Sequence, residues 1–150
     1  MKIVEAEPFV KTLMNDYLPD WEFRWDRATR RFGCCHQNLK RITLSKTLTE
    51  LNEWNDVKDT LLHEIAHALA GNGHGHDGVW KAKCIEIGAK PERCYDESIK
   101  CPPRKWKGTC PECGRVIYRS RCRNISCGKC SKNYNPKYKF VWEENKEGKS

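Results

Sequence analysis

His63, Glu64 and His67 stand in the order H-E-I-A-H within a segment patterned as a helix. Two histidines four residues apart lie one above the other on a helix face, so both imidazoles can reach one ion. The glutamate between them points near the same ion without having to bind it. Metal-assisted hydrolysis needs this set: neutral nitrogen ligands, an open position for water, and a carboxylate to take the proton. Either histidine alone reads as an ordinary surface residue. Both together, with Glu64 between them and glycines after the helix, read as a catalytic zinc site in which Glu64 is the general base. The third ligand is expected from G-H-G-H-D, as His74 or His76. His76 is the better candidate, because it stands just before the next helical segment and Trp80, one turn on, anchors that segment in the core.

A second set of ligands lies near the other end. Cys110-Pro-Glu-Cys113 and Cys127-Gly-Lys-Cys130 are two C-x₂-C knuckles separated by 13 residues. Each knuckle turns tightly enough to aim two thiolates at one ion, which predicts a structural Cys₄ zinc ribbon. A redox C-x₂-C would sit in a βαβ pattern, and none surrounds these cysteines. Cys122 competes with Cys127 as a ligand, and knuckle geometry favours Cys127. A ribbon this small cannot fold on its apolar core alone, so bound zinc must supply much of its stability. Two zinc ions per chain are therefore expected. Cys34, Cys35, Cys84, Cys94 and Cys101 have no knuckle spacing and read as buried free thiols.

The charge separates these two regions. Residues 1–99 carry 14 Lys+Arg against 16 Asp+Glu, a net of −2, whereas residues 100–150 carry 14 against 4, a net of +10. The expected division is a near-neutral domain over 1–99 and a basic zinc ribbon over 100–150. Such asymmetry points to a polyanion, with nucleic acid ahead of an anionic membrane surface. Arg115, Arg119, Arg121 and Arg123 recur at alternate positions over part of this stretch, and a strand would put them on one face with Tyr118 nearby. Guanidiniums pair with phosphates, and aromatic side chains such as Tyr134 can stack on bases. Tyr138, Phe140 and Trp142 serve equally well as the ribbon's own core. No long apolar run marks a signal peptide or a membrane span, so a soluble intracellular protein with reduced or metal-bound cysteines is expected.

The elements that must position these residues follow from periodicity. Residues 6–18 read as an amphipathic helix with Pro8 in its first turn and Phe9, Leu13, Met14, Tyr17 and Leu18 on one face. Trp21, Phe23 and Trp25 alternate with charged residues as in a half-buried strand. Arg31 to His36 and Arg41 to Leu44 read as two more strands, and a three-stranded antiparallel sheet is the simple arrangement. The metal helix spans roughly Asn52 to Ala70, with Trp54, Val57, Leu61, Ile65 and Leu69 facing the sheet. Gly71-Asn72-Gly73 ends it. A further helix over 78–88 has Val79, Trp80, Cys84, Ile85 and Ile87 as its apolar positions.

H-E-I-A-H-A-L, the short glycine-containing loop and H-D-G-V-W together resemble the SprT-like zinc metalloprotease domain, to which Spartan proteases belong. The resemblance is close over residues 60–82 and loose over 1–95. His76 and Trp80 match that family's third histidine and the aromatic four residues after it. The resemblance implies an α+β minimal zincin: a leading helix, a small sheet packed on the HExxH helix, and often a C-terminal zinc ribbon. It also implies a zinc endopeptidase that cleaves proteins attached to or crosslinked with DNA, a DNA-repair activity. Two rivals remain: a zinc peptidase of general substrates whose basic tail aids solubility, and a nucleic-acid-binding zinc protein that does not turn over. Beyond the metal, Tyr95 has the chemistry to donate to a substrate carbonyl, although a packing role is its plainer reading.

Overall fold

The structure is a computed structural model that describes residues 1–92 and 99–148. Cys94 and Tyr95 lie outside the described residues. The fold is α+β and divides into two compact units, Met1–Pro102 and Pro103–Ser150.

The first unit opens with α1 (Ile3–Tyr17), followed by β1 (Glu22–Asp26), β2 (Gly33–His36), β3 (Arg41–Ser45), α2 (Lys46–Leu51), α3 (Trp54–Ala70) and α4 (Gly78–Ile87). Helix α1 begins well before the expected start, and Pro8 lies inside it rather than in its first turn. The backbone N–H of Lys2 donates to the Glu5 carboxylate, which helps satisfy the first turn. The buried face is Ala6, Val10 and Met14, while Phe9 is 55 % exposed and touches Trp54 at its rim. Met14 and Leu18 are buried and Leu13 and Tyr17 pack against the core as expected, so Phe9 alone of the expected face turns outward, and Ala6 and Val10 complete the inward stripe.

The sheet has the order β1-β3-β2, and it is mixed, not antiparallel. β1 runs parallel to β3 and β2 antiparallel to it. The reason lies in β3, whose Ile42 and Leu44 are fully buried and which takes the centre with a partner on each side. Residues between β1 and β2 then have to run past the end of β3: the Ser45 N–H bonds Phe32 O at 2.7 Å, and its hydroxyl bonds Ala28 O. Across the parallel pair, Arg41 faces Glu22 at 2.8 Å. Burial alternation predicts strands but leaves their order open, and this is where the simple arrangement failed.

Ser45 ends β3 and caps α2, accepting from Leu48 N–H at 3.1 Å. At six residues this helix is too short to show a periodicity in the sequence. Helix α3 buries Val57, Leu61 and Ile65 completely, as its stripe predicts. In α4 only Trp80 and Cys84 are buried; Val79 and Ile85 face outward at 43 % and 69 % exposure. Cys101 is exposed and Cys34 and Cys35 are only partly covered, so among the described non-knuckle cysteines of this unit only Cys84 fits the buried-thiol reading.

The second unit is a three-stranded antiparallel sheet of order β5-β4-β6, formed by β4 (Trp106–Thr109), β5 (Val116–Arg119) and β6 (Val141–Glu144). Its core is Cys110, Cys127 and Phe140, with Ile117, Ile125, Tyr138 and Trp142 packed against them. Trp142 lies over Gly108, where a Cβ would come within 2.8 Å of its ring. No helix among the described residues is long and apolar enough to cross a membrane.

Candidate metal centres and cleft

Helix α3 carries His63 and His67 on one face, and α4 begins two residues after His76. The three rings converge. His76 Nε2 lies 3.2 Å from His63 Nε2 and 3.2 Å from His67 Nε2. Ligand nitrogens at a tetrahedral zinc, with Zn–N of about 2.0–2.1 Å, stand about 3.3–3.4 Å apart, so this donor set fits that ion. Burial pushes His63 down to about 4, with His67 and His76 acting in the same direction. Burial also lowers His67. Both rings are therefore neutral near pH 7 and offer lone pairs, as metal ligands must.

Trp80 holds this arrangement from beneath. It is fully buried, and its ring centroid lies 4.8 Å from that of His63, 5.2 Å from His67 and 4.6 Å from His76. Its indole N–H donates to His63 O at 3.3 Å. One aromatic thus touches all three rings and ties α4 to α3. A second tie comes from Gln37, in the turn between β2 and β3, which donates to His67 O at 2.6 Å. A lone glutamine in a polar turn carries no sequence signal for that contact.

Glu64 packs against β2 at Gly33 and is only 5 % exposed. Gly33 makes the approach possible, since a Cβ there would lie 3.0 Å from Glu64 Cγ, Leu44 Cδ2 and Thr60 Cγ2. Glu64 and His67 line a cavity of about 290 Å³ together with Gly33, Cys34, Cys35, Gln37 and the Gly71–His74 loop. An adjoining cavity of about 390 Å³, sharing Cys35, Gln37 and Asn72, continues along His36–Leu39. The cleft therefore follows β2, whose outer edge is unpaired among the described residues. His74 is not in the cluster. Its Nδ1 instead meets Asp77 Oδ2 at 2.8 Å.

The four knuckle cysteines also converge. Cys110 Sγ and Cys130 Sγ are 3.8 Å apart, and Cys113 Sγ and Cys127 Sγ 3.7 Å. A tetrahedron of Zn–S bonds of about 2.3 Å has edges of about 3.8 Å, so the sulfurs already stand at coordination spacing. The backbone N–H of Cys113 holds the Cys110 thiol below its ordinary value. Burial raises Cys127, but the N–H groups of Cys130 and Lys129 and the neighbouring thiols outweigh it and bring it to about 6. Gly114, at φ 74°, closes the first knuckle in a conformation that side chains disfavour. Cys122 is exposed and takes no part.

Arg115, Arg119, Arg121 and Arg123 are all exposed, but they do not share a strand. Only Arg119 lies within β5, Arg115 precedes it, and Arg121 and Arg123 follow in the loop toward the second knuckle. The chain must leave the sheet to bring Cys127 to the ion, which cuts the strand short. Tyr134 is exposed and bonds Asn124, while Tyr138, Phe140 and Trp142 belong to the core.

An α+β domain with a helix-borne histidine pair, a third histidine and a buried glutamate on a cleft defines a zincin-type metal domain. Residues 6–100 match the model of the SprT-like family, and the chain belongs to that family. The matched region is thus a domain of zinc-metalloprotease type, followed by a Cys₄ cluster that the family match does not include. No curated protein matches the chain.

Proposed function

We propose that this chain is a zinc-dependent endopeptidase that acts on proteins held on or crosslinked to DNA, with Glu64 as general base. The observation that carries the peptidase reading is the convergence of His63, His67 and His76 beside a cleft into which Glu64 opens. Zinc held there supplies Lewis acidity, polarising a carbonyl and lowering the pKa of water to about 7. Glu64, held on α3 against β2, accepts the water proton and delivers it to the leaving amine. The unpaired edge of β2 offers backbone donors and acceptors to an extended peptide lying along the cleft. His63, His67 and His76 keep their geometry through Trp80.

The nucleic-acid half rests on charge. The last 51 residues carry a net +10, and Arg115, Arg119, Arg121 and Arg123 are exposed around a zinc-held loop. Cys110, Cys113, Cys127 and Cys130 would hold the second zinc, which shapes that loop. No base-reading motif is present, so phosphate contacts dominate. The test is cleavage of a DNA-binding protein with and without DNA, and with a chelator. Cleavage should need metal and be faster with DNA. Equal rates with and without DNA would favour a general peptidase, and no cleavage with metal present would leave a binding protein.

A further inference from the structure

The Gly71–Gly75 loop holds a histidine that the metal centre does not use. His74 Nδ1 lies 2.8 Å from Asp77 Oδ2. Asp77 is itself fixed, because its other oxygen accepts Trp80 N–H at 3.1 Å and caps α4. Trp80 in turn packs against all three clustered imidazoles. His74 is thus registered to the metal centre through two short links, although it sits in a glycine-rich loop. An exposed polar contact of this kind contributes little to stability. Its side chains are 35 % and 45 % exposed, so folding does not explain why the ring is held. Its location does: His74 lines the same cavity as Glu64 and His67.

An ionised carboxylate only accepts hydrogen bonds, so Asp77 selects the tautomer with the proton on Nδ1. In the neutral imidazole Nε2 then carries the lone pair, on a ring whose orientation is fixed from behind, the arrangement by which one side chain aims another at a substrate. From these contacts we propose that His74 binds substrate directly, its Nε2 accepting a main-chain N–H of the bound peptide beside the scissile bond, with Asp77 as the residue that positions it. The contact is made along the loop wall of the cleft, opposite β2. It selects for a secondary amide at that position, so proline or an N-methylated residue is disfavoured there.

This proposal rests on the peptidase reading, and the experiment separates the two. In a Glu64→Gln background, binding of an uncleaved peptide is measured by calorimetry, with zinc content determined alongside. His74→Ala should weaken binding about tenfold, the scale of one hydrogen bond to an oriented group, without loss of zinc. In the cleaving protein the same change should raise KM more than it lowers kcat. Asp77→Ser, which keeps an oxygen for the helix cap, should give a smaller loss. A series of depsipeptides, each replacing one N–H by an ester oxygen, should contain one member that weakens the parent and leaves the His74→Ala protein unaffected. If His74→Ala binds as tightly as the parent, or every ester loss adds to it, the proposal is overturned. If the parent, loaded with zinc, neither binds nor cleaves any peptide, the peptidase reading falls and takes the proposal with it.

Discussion

The three histidines and the four cysteines are held by different means. His63, His67 and His76 stand on a core of Val57, Leu61, Ile65 and Trp80 that is buried without any help from a metal. Cys110 and Cys127 are themselves two of the three buried apolar residues of their cluster, Phe140 being the third. The first unit folds and thereby creates a metal site. In the second, the metal site is most of what can hold the fold. A metal on the three histidines would have a coordination position left for chemistry, whereas one on the four cysteines would be closed off by them.

The largest effect expected is on turnover. Glu64→Gln keeps the shape of a buried side chain and removes the base, so peptide cleavage should fall by about 10²–10⁴ with zinc still bound. Undiminished cleavage would show that the first site does not work through Glu64. Next comes folding. Cys127→Ser should unfold the ribbon and lower the zinc ratio from two toward one, whereas His63→Ala should lower the ratio equally and leave the backbone spectrum of both units intact. If NMR shows the ribbon still folded in Cys127→Ser, the contrast between the two sites is wrong.

A smaller change sharpens the first half of the comparison. Gly33→Ala adds a methyl against Glu64, Leu44 and Thr60. Overpacking of this kind costs about 1–3 kcal/mol, readable in urea unfolding, and it should also lower kcat by displacing Glu64. A fall in stability with unchanged kcat would mean that Glu64 is not held by that contact. The smallest effect concerns the ribbon surface. Replacing Arg119, Arg121 and Arg123 with Ser should weaken DNA binding and flatten its salt dependence by up to about three in slope. Cleavage of a short free peptide should not change. An unaltered slope would move the nucleic-acid contact elsewhere.

Much of this was legible in the chain because it depends on short spacings. An i, i+4 histidine pair on a helix and two C-x₂-C turns dictate local geometry whatever surrounds them, and the Val57–Leu61–Ile65 stripe follows from helix period alone. What tertiary structure alone decided involves contacts between distant segments. The parallel pairing of β1 with β3 depended on which strand took the most buried position, and alternation is identical for either order. The outward turn of Phe9 depended on what the helix packs against, since Ala6, Val10 and Met14 take the core side and Phe9 meets Trp54 at the surface. The arginines alternate in sequence, yet only Arg119 lies in a strand, because the chain has to turn to bring Cys127 to the other sulfurs. Gln37 at His67 and Gly33 under Glu64 have no local signature, since their partners lie about thirty residues away. The sequence by itself determined which atoms could bind metal. The packing of β2 and α4 against α3 decided which histidine completes the cluster, and left His74 to the cleft.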